Sequence, residues 1–301
     1  MSDMRVNLCG VELKNPVIAA SGTFGYGMEY SEFFPLSRLG GISCKGTTLL
    51  AREGNLNSRI AETPSGMLNS VGLQNPGVDQ FLSIYLPWLK QQGTVVIANL
   101  AGHSVEEYAA MAEKLDPPEV DMVELNISCP NVREGGVNFG TSCGMVEQVT
   151  GEVRRRLKKP LMVKLTPNVT DITEIAKAAE AGGADAISLI NTLTGMKIDI
   201  NRRTFALANK TGGVSGPAVH PIAVRMVYQA AQAVNIPIIG MGGIATAEDA
   251  IEMILAGASA VSVGTANFHD PAVTLKVIDG IEKYMEKQGF ETVKDMMGAV
   301  R

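Results

Sequence analysis

The sequence predicts an α/β fold: a (β/α)8 TIM barrel in one domain, residues 1–301, with a short N-terminal hairpin and long loops at its C-terminal face. Three observations predict it. Short β-branched runs alternate with longer stretches of helical period, the rhythm of βα units around a parallel sheet. Most short runs are continuously apolar, Val95-Val96-Ile97-Ala98 being the clearest, as strands covered on both faces are. No G-x-G-x-x-G follows the first strand, which disfavours a doubly wound sheet of the same strand number.

The elements follow in order. Residues 5–12 read as a hairpin, with Val6 and Leu8 before the Cys9-Gly10 turn and Val11 and Leu13 after it, placed to plug the barrel floor. The eight strands are expected at 16–21, 41–45, 94–99, 121–126, 161–166, 185–191, 236–241 and 259–264. Helical spacing marks 78–92, where Phe81, Ile84, Tyr85, Trp88 and Leu89 share a face. Residues 104–115 open on Ser104-Val105-Glu106-Glu107, a capping-box pattern. Further helices are expected at 170–181, 217–234, 246–256 and 271–287, two of them starting at the cap-like Thr170-Asp171 and Thr246-Ala247-Glu248. Two connections are long, 46–75 after the second strand and 127–141 after the fourth, and loops of that length inside a compact domain are usually functional or disordered.

Composition narrows the function. The chain is 46% apolar, enough for a large core, and its net charge of −5 argues against nucleic-acid or anionic-membrane binding through a broad basic surface. No run of about 18 apolar residues marks a membrane span. Residues 1–10 carry no apolar signal core, so a cytoplasmic protein is expected. Cys9, Cys44, Cys129 and Cys143 are widely spaced, with neither a disulfide framework nor a metal-ligand pattern. His103, His220 and His269 are scattered and read as surface or loop residues, and no metal is expected.

In barrel enzymes the active site lies where the strands end. Here Ser21, Lys45, Asn99, Asn126, Lys164 and Asn191 close apolar strands, and burying unpaired lysines and amides is costly unless a polar ligand meets them. Gly240-Met241-Gly242-Gly243 and Gly264-Thr265 follow the last two strands, the usual barrel phosphate site, and Gly212-Gly213-Val214-Ser215-Gly216 adds a third glycine-rich loop. Cys129 stands three residues past Asn126 in a glycine-bearing loop at the mouth, where a thiol can act as a general base. Cys9, Cys44 and Cys143 fit the commoner role of buried, inert thiols.

Four motifs resemble the dihydroorotate dehydrogenases: Asn126-Ile127-Ser128-Cys129-Pro130-Asn131, Lys164-Leu165-Thr166-Pro167-Asn168, Gly213-Val214-Ser215-Gly216-Pro217 and Gly242-Gly243-Ile244. The resemblance runs through nearly the whole chain in order. Residues 62–77 and Ile190-Asn191-Thr192-Leu193-Thr194-Gly195-Met196 look like the NAD-linked type, class 1B. This resemblance implies FMN, with its phosphate on Gly216, Gly242, Gly243, Gly264 and Thr265, and its ring among Ser21, Lys45, Gly46, Asn99, Asn126, Lys164 and Ile190. It implies dihydroorotate held by Lys45, Asn69, Ser70, Val71, Gly72, Leu73, Asn126, Asn191 and Thr192. Cys129 would remove the C5 proton while C6 passes hydride to flavin N5, giving orotate for de novo pyrimidine (UMP) biosynthesis.

The same resemblance implies a partner subunit carrying FAD and a 2Fe–2S cluster, in a heterotetramer of two catalytic and two electron-transfer chains. This sequence has neither clustered cysteines nor a Rossmann fingerprint for that step. Alternatives are the fumarate-linked enzyme and a flavin-dependent dihydropyrimidine dehydrogenase, which shares the Asn-x-Ser-Cys-Pro and Lys-Leu-Thr-Pro-Asn stretches. Lys45, as a carboxylate partner, favours orotate over an uncharged pyrimidine.

Overall fold

The computed structural model describes residues 2–116, 119–127 and 139–300. The chain opens with the expected hairpin, β1 (Val6–Leu8) and β2 (Val11–Leu13), turning through Cys9 and Gly10 at positive φ. β3 (Val17–Ala19) and β4 (Gly41–Ser43) begin the barrel. A second hairpin, β5 (Ile60–Thr63) and β6 (Gly66–Asn69), rises from the long loop that follows. The barrel resumes with β7 (Val95–Ala101), β8 (Met122–Asn126), β9 (Leu161–Lys164) and β10 (Ala186–Leu189). Four short strands then stand outside it: β11 (Leu193–Met196), β12 (Ile198–Asp199), β13 (Thr204–Phe205) and β14 (Thr211–Ser215). β15 (Ile238–Met241) and β16 (Ala260–Val263) complete the circle, and β16 pairs with β3.

All eight barrel strands are parallel and neighbour one another in chain order, the (β/α)8 arrangement. Several end one or two residues before the sequence suggests. Ser21, Lys45 and Asn191 lie past the ladder, where the chain turns out toward the mouth. The hairpin does plug the floor. Leu8 and Leu13 are fully buried and pack inside the barrel on Ile18, Ile97, Met122, Met162, Ala186, Ile239 and Ala260. An apolar layer around them, between barrel and helices, holds most of the remaining core.

The helices sit where their caps place them. The first is α1 (Val78–Gln80) and α2 (Leu86–Lys90), joined by a π-helical Phe81–Tyr85, so it runs nearly as expected. α3 (Val105–Leu115) is capped by the Ser104 side chain on Glu107 N, but only half of the expected box forms. Glu107 reaches instead to His103 N, at 2.7 Å. α4 (Cys143–Arg156) was not legible in the sequence. Gly144, Gly151 and several β-branched residues lower its helix propensity, and burial of Val146, Val149 and Val153 outweighs that. α5 (Ile172–Ala181) is capped by Asp171, α6 (His220–Ala233) follows a 3-10 turn at Pro217–Val219, and α7 (Ala247–Leu255) has a full capping box between Thr246 and Asp249. α8 (Val273–Gln288) and α9 (Val293–Met296) end the chain. Among the described residues no helix is long and apolar enough to cross a membrane.

The sequence reading missed a second sheet. β11, β14, β6 and β5 form a four-stranded antiparallel sheet built from the two loops after β4 and β10. Residues 211–215 are therefore a strand, not a glycine-rich phosphate loop. Gly213 pairs with Thr194 and lies against Thr192, and a Cβ there would stand 2.0 Å from the Thr192 hydroxyl.

Candidate active site

The strand ends open on a cavity of about 360 Å3. Seven of the eight strands bring expected residues to its wall: Ser21 after β3, Lys45-Gly46 after β4, Asn126 on β8, Lys164 on β9, Ile190-Asn191-Thr192 after β10, Gly242-Gly243 after β15 and Gly264-Thr265 after β16. The second sheet adds Asn69, and the segments that leave it add Val71, Gly72, Leu73 and Gly216. Cys129, with Ser128, Pro130 and Asn131 of the same motif, lies outside the described residues.

Two expected residues face elsewhere. Ser70 is buried behind its loop, where its backbone N–H donates to Arg59 O at 2.7 Å and its hydroxyl accepts from Asn55 at 3.1 Å. Asn99 is 1% exposed and points into the barrel, its Nδ2 donating to Glu124 Oε2 at 2.6 Å. Its Oδ1 is buried with no partner among the described residues, and Gly46 lies over it: a Cβ there would approach that oxygen to 2.9 Å.

Glu124 was overlooked in the sequence because it interrupts an apolar strand by one residue. The signal was its spacing: it stands two residues before Asn126, on the same inward face. Its carboxylate is 1% exposed and accepts from Ser43 Oγ at 2.5 Å, Asn99 Nδ2 at 2.6 Å and Ser188 Oγ at 2.7 Å. Three strands are thus tied below the cavity. Glu124→Ala leaves three buried donors unpaired, and we expect it to lower the free energy of unfolding by about 2–4 kcal/mol in urea titrations.

Above this layer a largely apolar wall carries a few polar and cationic side chains. Lys164 is 6% exposed, and its ammonium has no hydrogen bond or ion pair with a described residue. A buried cation in that state is matched by an anionic or strongly accepting ligand. Asn191 is oriented by accepting from Thr192 N at 2.8 Å, and its Nδ2 lies 3.4 Å from Asn126 Oδ1. Asn126 is itself placed by Tyr108, whose hydroxyl donates to its carbonyl at 3.0 Å. Asn168, the last residue of the Lys-Leu-Thr-Pro-Asn motif, donates to Thr192 O at 3.0 Å and accepts from Thr194 N at 2.9 Å. It clamps the loop that carries Thr192 and is a positioning residue the sequence did not reveal.

The glycines on the last strands form a backbone cradle. Gly242 has φ +126°, and a Cβ there would stand 2.7 Å from Ala223 Cβ; Gly243 has φ +72°, and its Cβ would stand 2.7 Å from His220 Cβ. Only glycine meets both the angle and the space. Thr265 reaches across the mouth, donating to Ser215 Oγ at 2.8 Å.

The other cysteines divide. Cys44 is fully buried, and burial pushes its thiol well above the ordinary range, which makes it inert. Cys9 is half-buried on the floor, its thiol pushed up to about 11 by burial and then by Asp185. Cys143 is exposed at the start of α4, so it is not a buried thiol as the sequence suggested. The histidine reading also needs correcting at one position, because His220 is 8% exposed and begins α6.

Comparison with known proteins identifies the family. The family model for dihydroorotate dehydrogenase matches residues 3–285. The catalytic subunit of dihydroorotate dehydrogenase B (NAD(+)) from Lachnoclostridium phytofermentans is 61% identical over 296 residues, covering 98% of this chain and 99% of that one. The same-named subunit of Bacteroides thetaiotaomicron is 56% identical over 301 residues, covering 100% and 99%, and that of Petrotoga mobilis is 52% identical over 300 residues, covering all of both chains. In fold, the chain matches the crystal structure of the Eimeria tenella enzyme in complex with ferulenol, with a TM-score of 0.82 at 22% identity over 99% of this chain and 88% of that one. On its near-full-length match to the family and on these identities, the chain belongs to the dihydroorotate dehydrogenase family.

Proposed function

We propose that this chain oxidises L-dihydroorotate to orotate in de novo pyrimidine (UMP) biosynthesis, with one FMN at the barrel mouth. Electrons pass to NAD through a second subunit carrying FAD and a 2Fe–2S cluster, in a cytoplasmic heterotetramer of two chains of each kind. The observation that carries the reading is one cavity holding both a buried, unmatched Lys164 and a cradle of glycine backbone. An aromatic cofactor with a phosphate dianion at one end and an electron-rich ring at the other meets both. The relatives named as NAD(+)-type catalytic subunits, matched end to end, support the choice of acceptor and the need for a second subunit.

The residues present fit FMN. Gly216, Gly242, Gly243, Gly264 and Thr265 would hold its phosphate, and Ser21, Lys45, Gly46, Asn126, Lys164 and Ile190 its ring. Asn99 would act from beneath Gly46 rather than from the wall. Bound FMN supplies a two-electron acceptor, which no side chain provides.

The chain's own groups do the rest. Lys45 pairs with the substrate carboxylate, and Asn69, Asn126, Asn191 and Thr192 match its amide-like edges, since a side-chain amide both donates and accepts. Val71, Gly72 and Leu73 cover it, with Ser70 bracing that loop from behind. Cys129 removes the proton from C5. Lys164 stabilises negative charge that builds up at the flavin pyrimidine edge.

The test is an acceptor screen on the purified chain. It should take up one FMN, oxidise dihydroorotate with an artificial dye, and reduce NAD only after an electron-transfer subunit is added. A colourless chain that takes up no FMN would refute the cofactor. Reduction of NAD by the chain alone would refute the need for a partner, and turnover with fumarate would favour the fumarate-linked reading.

A further inference from the structure

His220 stands behind the cradle rather than in the cavity. Its Nδ1 lies 2.9 Å from Gly242 O and its Nε2 lies 3.0 Å from Glu252 Oε2, with Asp249 Oδ1 at 3.8 Å. A carbonyl oxygen and an ionised carboxylate only accept. The bond to Gly242 O therefore needs the ring proton on Nδ1. The packing is equally tight. A Cβ on Gly243 would stand 2.9 Å from His220 N and 2.8 Å from Gly216 O. Asp249 also accepts from Ala245 N at 2.9 Å and Thr246 N at 2.8 Å, so the carboxylates of α7 hold both the loop after β15 and the ring at the start of α6.

The consequence follows from the peptide plane. In a trans peptide the C=O and the next N–H point in opposite directions. Gly242 O turns back to His220, so Gly243 N–H turns the other way, toward the cavity that both glycines line. That N–H makes no backbone hydrogen bond among the described residues. We propose that His220 is a positioning residue for a phosphate monoester: it locks the Gly242 carbonyl outward and thereby presents Gly243 N–H to the phosphate. The proposal rests on reading the cavity as an FMN site, and it adds the device that selects the phosphorylated flavin.

The experiment measures FMN and riboflavin binding to the full-length apoprotein by flavin fluorescence, for the wild type, His220→Asn and His220→Gln. An asparagine amide nitrogen replaces Nδ1 and can still donate to Gly242 O; a glutamine amide nitrogen replaces Nε2 and cannot. His220→Gln should lose about tenfold or more in FMN affinity with riboflavin affinity unchanged, and His220→Asn should keep most of the wild-type preference. Three results would overturn the proposal: an unchanged FMN-to-riboflavin ratio in His220→Gln, an equal loss for both flavins, or a His220→Asn variant as impaired as His220→Gln. A wild-type chain that binds neither flavin would instead overturn the functional reading on which the proposal stands.

Discussion

Cys129→Ser is expected to slow flavin reduction by dihydroorotate about 10²–10⁴-fold near neutral pH, the usual contribution of one general acid/base. The substitution changes a single atom. A thiol with an ordinary pKa of about 8.5 is partly deprotonated at neutral pH, whereas a serine hydroxyl is almost never so. Binding should survive, because the described residues that line the cavity keep their side chains in the variant. The loss should therefore appear in kcat with KM little changed, and FMN affinity should stay at the wild-type value. Stopped-flow loss of flavin absorbance measures the step directly. Equal rates in the two proteins would remove Cys129 from the chemistry.

Lys164→Ala should be the second largest effect, and it acts at a different point. Removing one preorganised charge from a site that stabilises developing negative charge costs roughly 10²–10³ in rate. The reduction potential of the bound flavin should also become more negative, because the anionic reduced ring loses its cation. Dye-equilibration titration reads that shift. Stability separates this role from a structural one. Lys164 is buried without a described partner, so the wild-type apoprotein bears the cost of holding that charge. The urea midpoint of apo Lys164→Ala should equal or exceed that of the wild type. A drop in midpoint with an unchanged potential would mean that Lys164 serves the fold and not the flavin.

Much of this architecture was legible before the structure. The eight strands and the floor hairpin each show as a local run of residues, because a strand covered on both faces must be apolar throughout. The polar residues at strand ends were legible for the same reason, since they break the apolar pattern where the chain leaves the barrel. Lys45, Asn126, Lys164 and Asn191 all line the cavity, as do Gly242 and Gly243.

What escaped sequence reading depends on contacts between distant segments. β6 pairs with β14 through Asn69 and Gly213, and neither segment carries a pattern that announces the other. α4 was hidden by its glycines, because its stability comes from the buried valine stripe rather than from propensity.

The sequence by itself determined the barrel, its plug and the set of polar side chains at the mouth, through periodicity and composition that act over a few residues. Only the tertiary structure decided which way the side chains turn. Asn99 and Asn126 both end up on polar partners, yet one points down to Glu124 and the other lines the cavity. His220 looked like a loop residue until the fold brought Gly242 and Glu252 to its two nitrogens. Direction is set by hydrogen-bond partners tens of residues away, and that pairing exists only once the strands are in register.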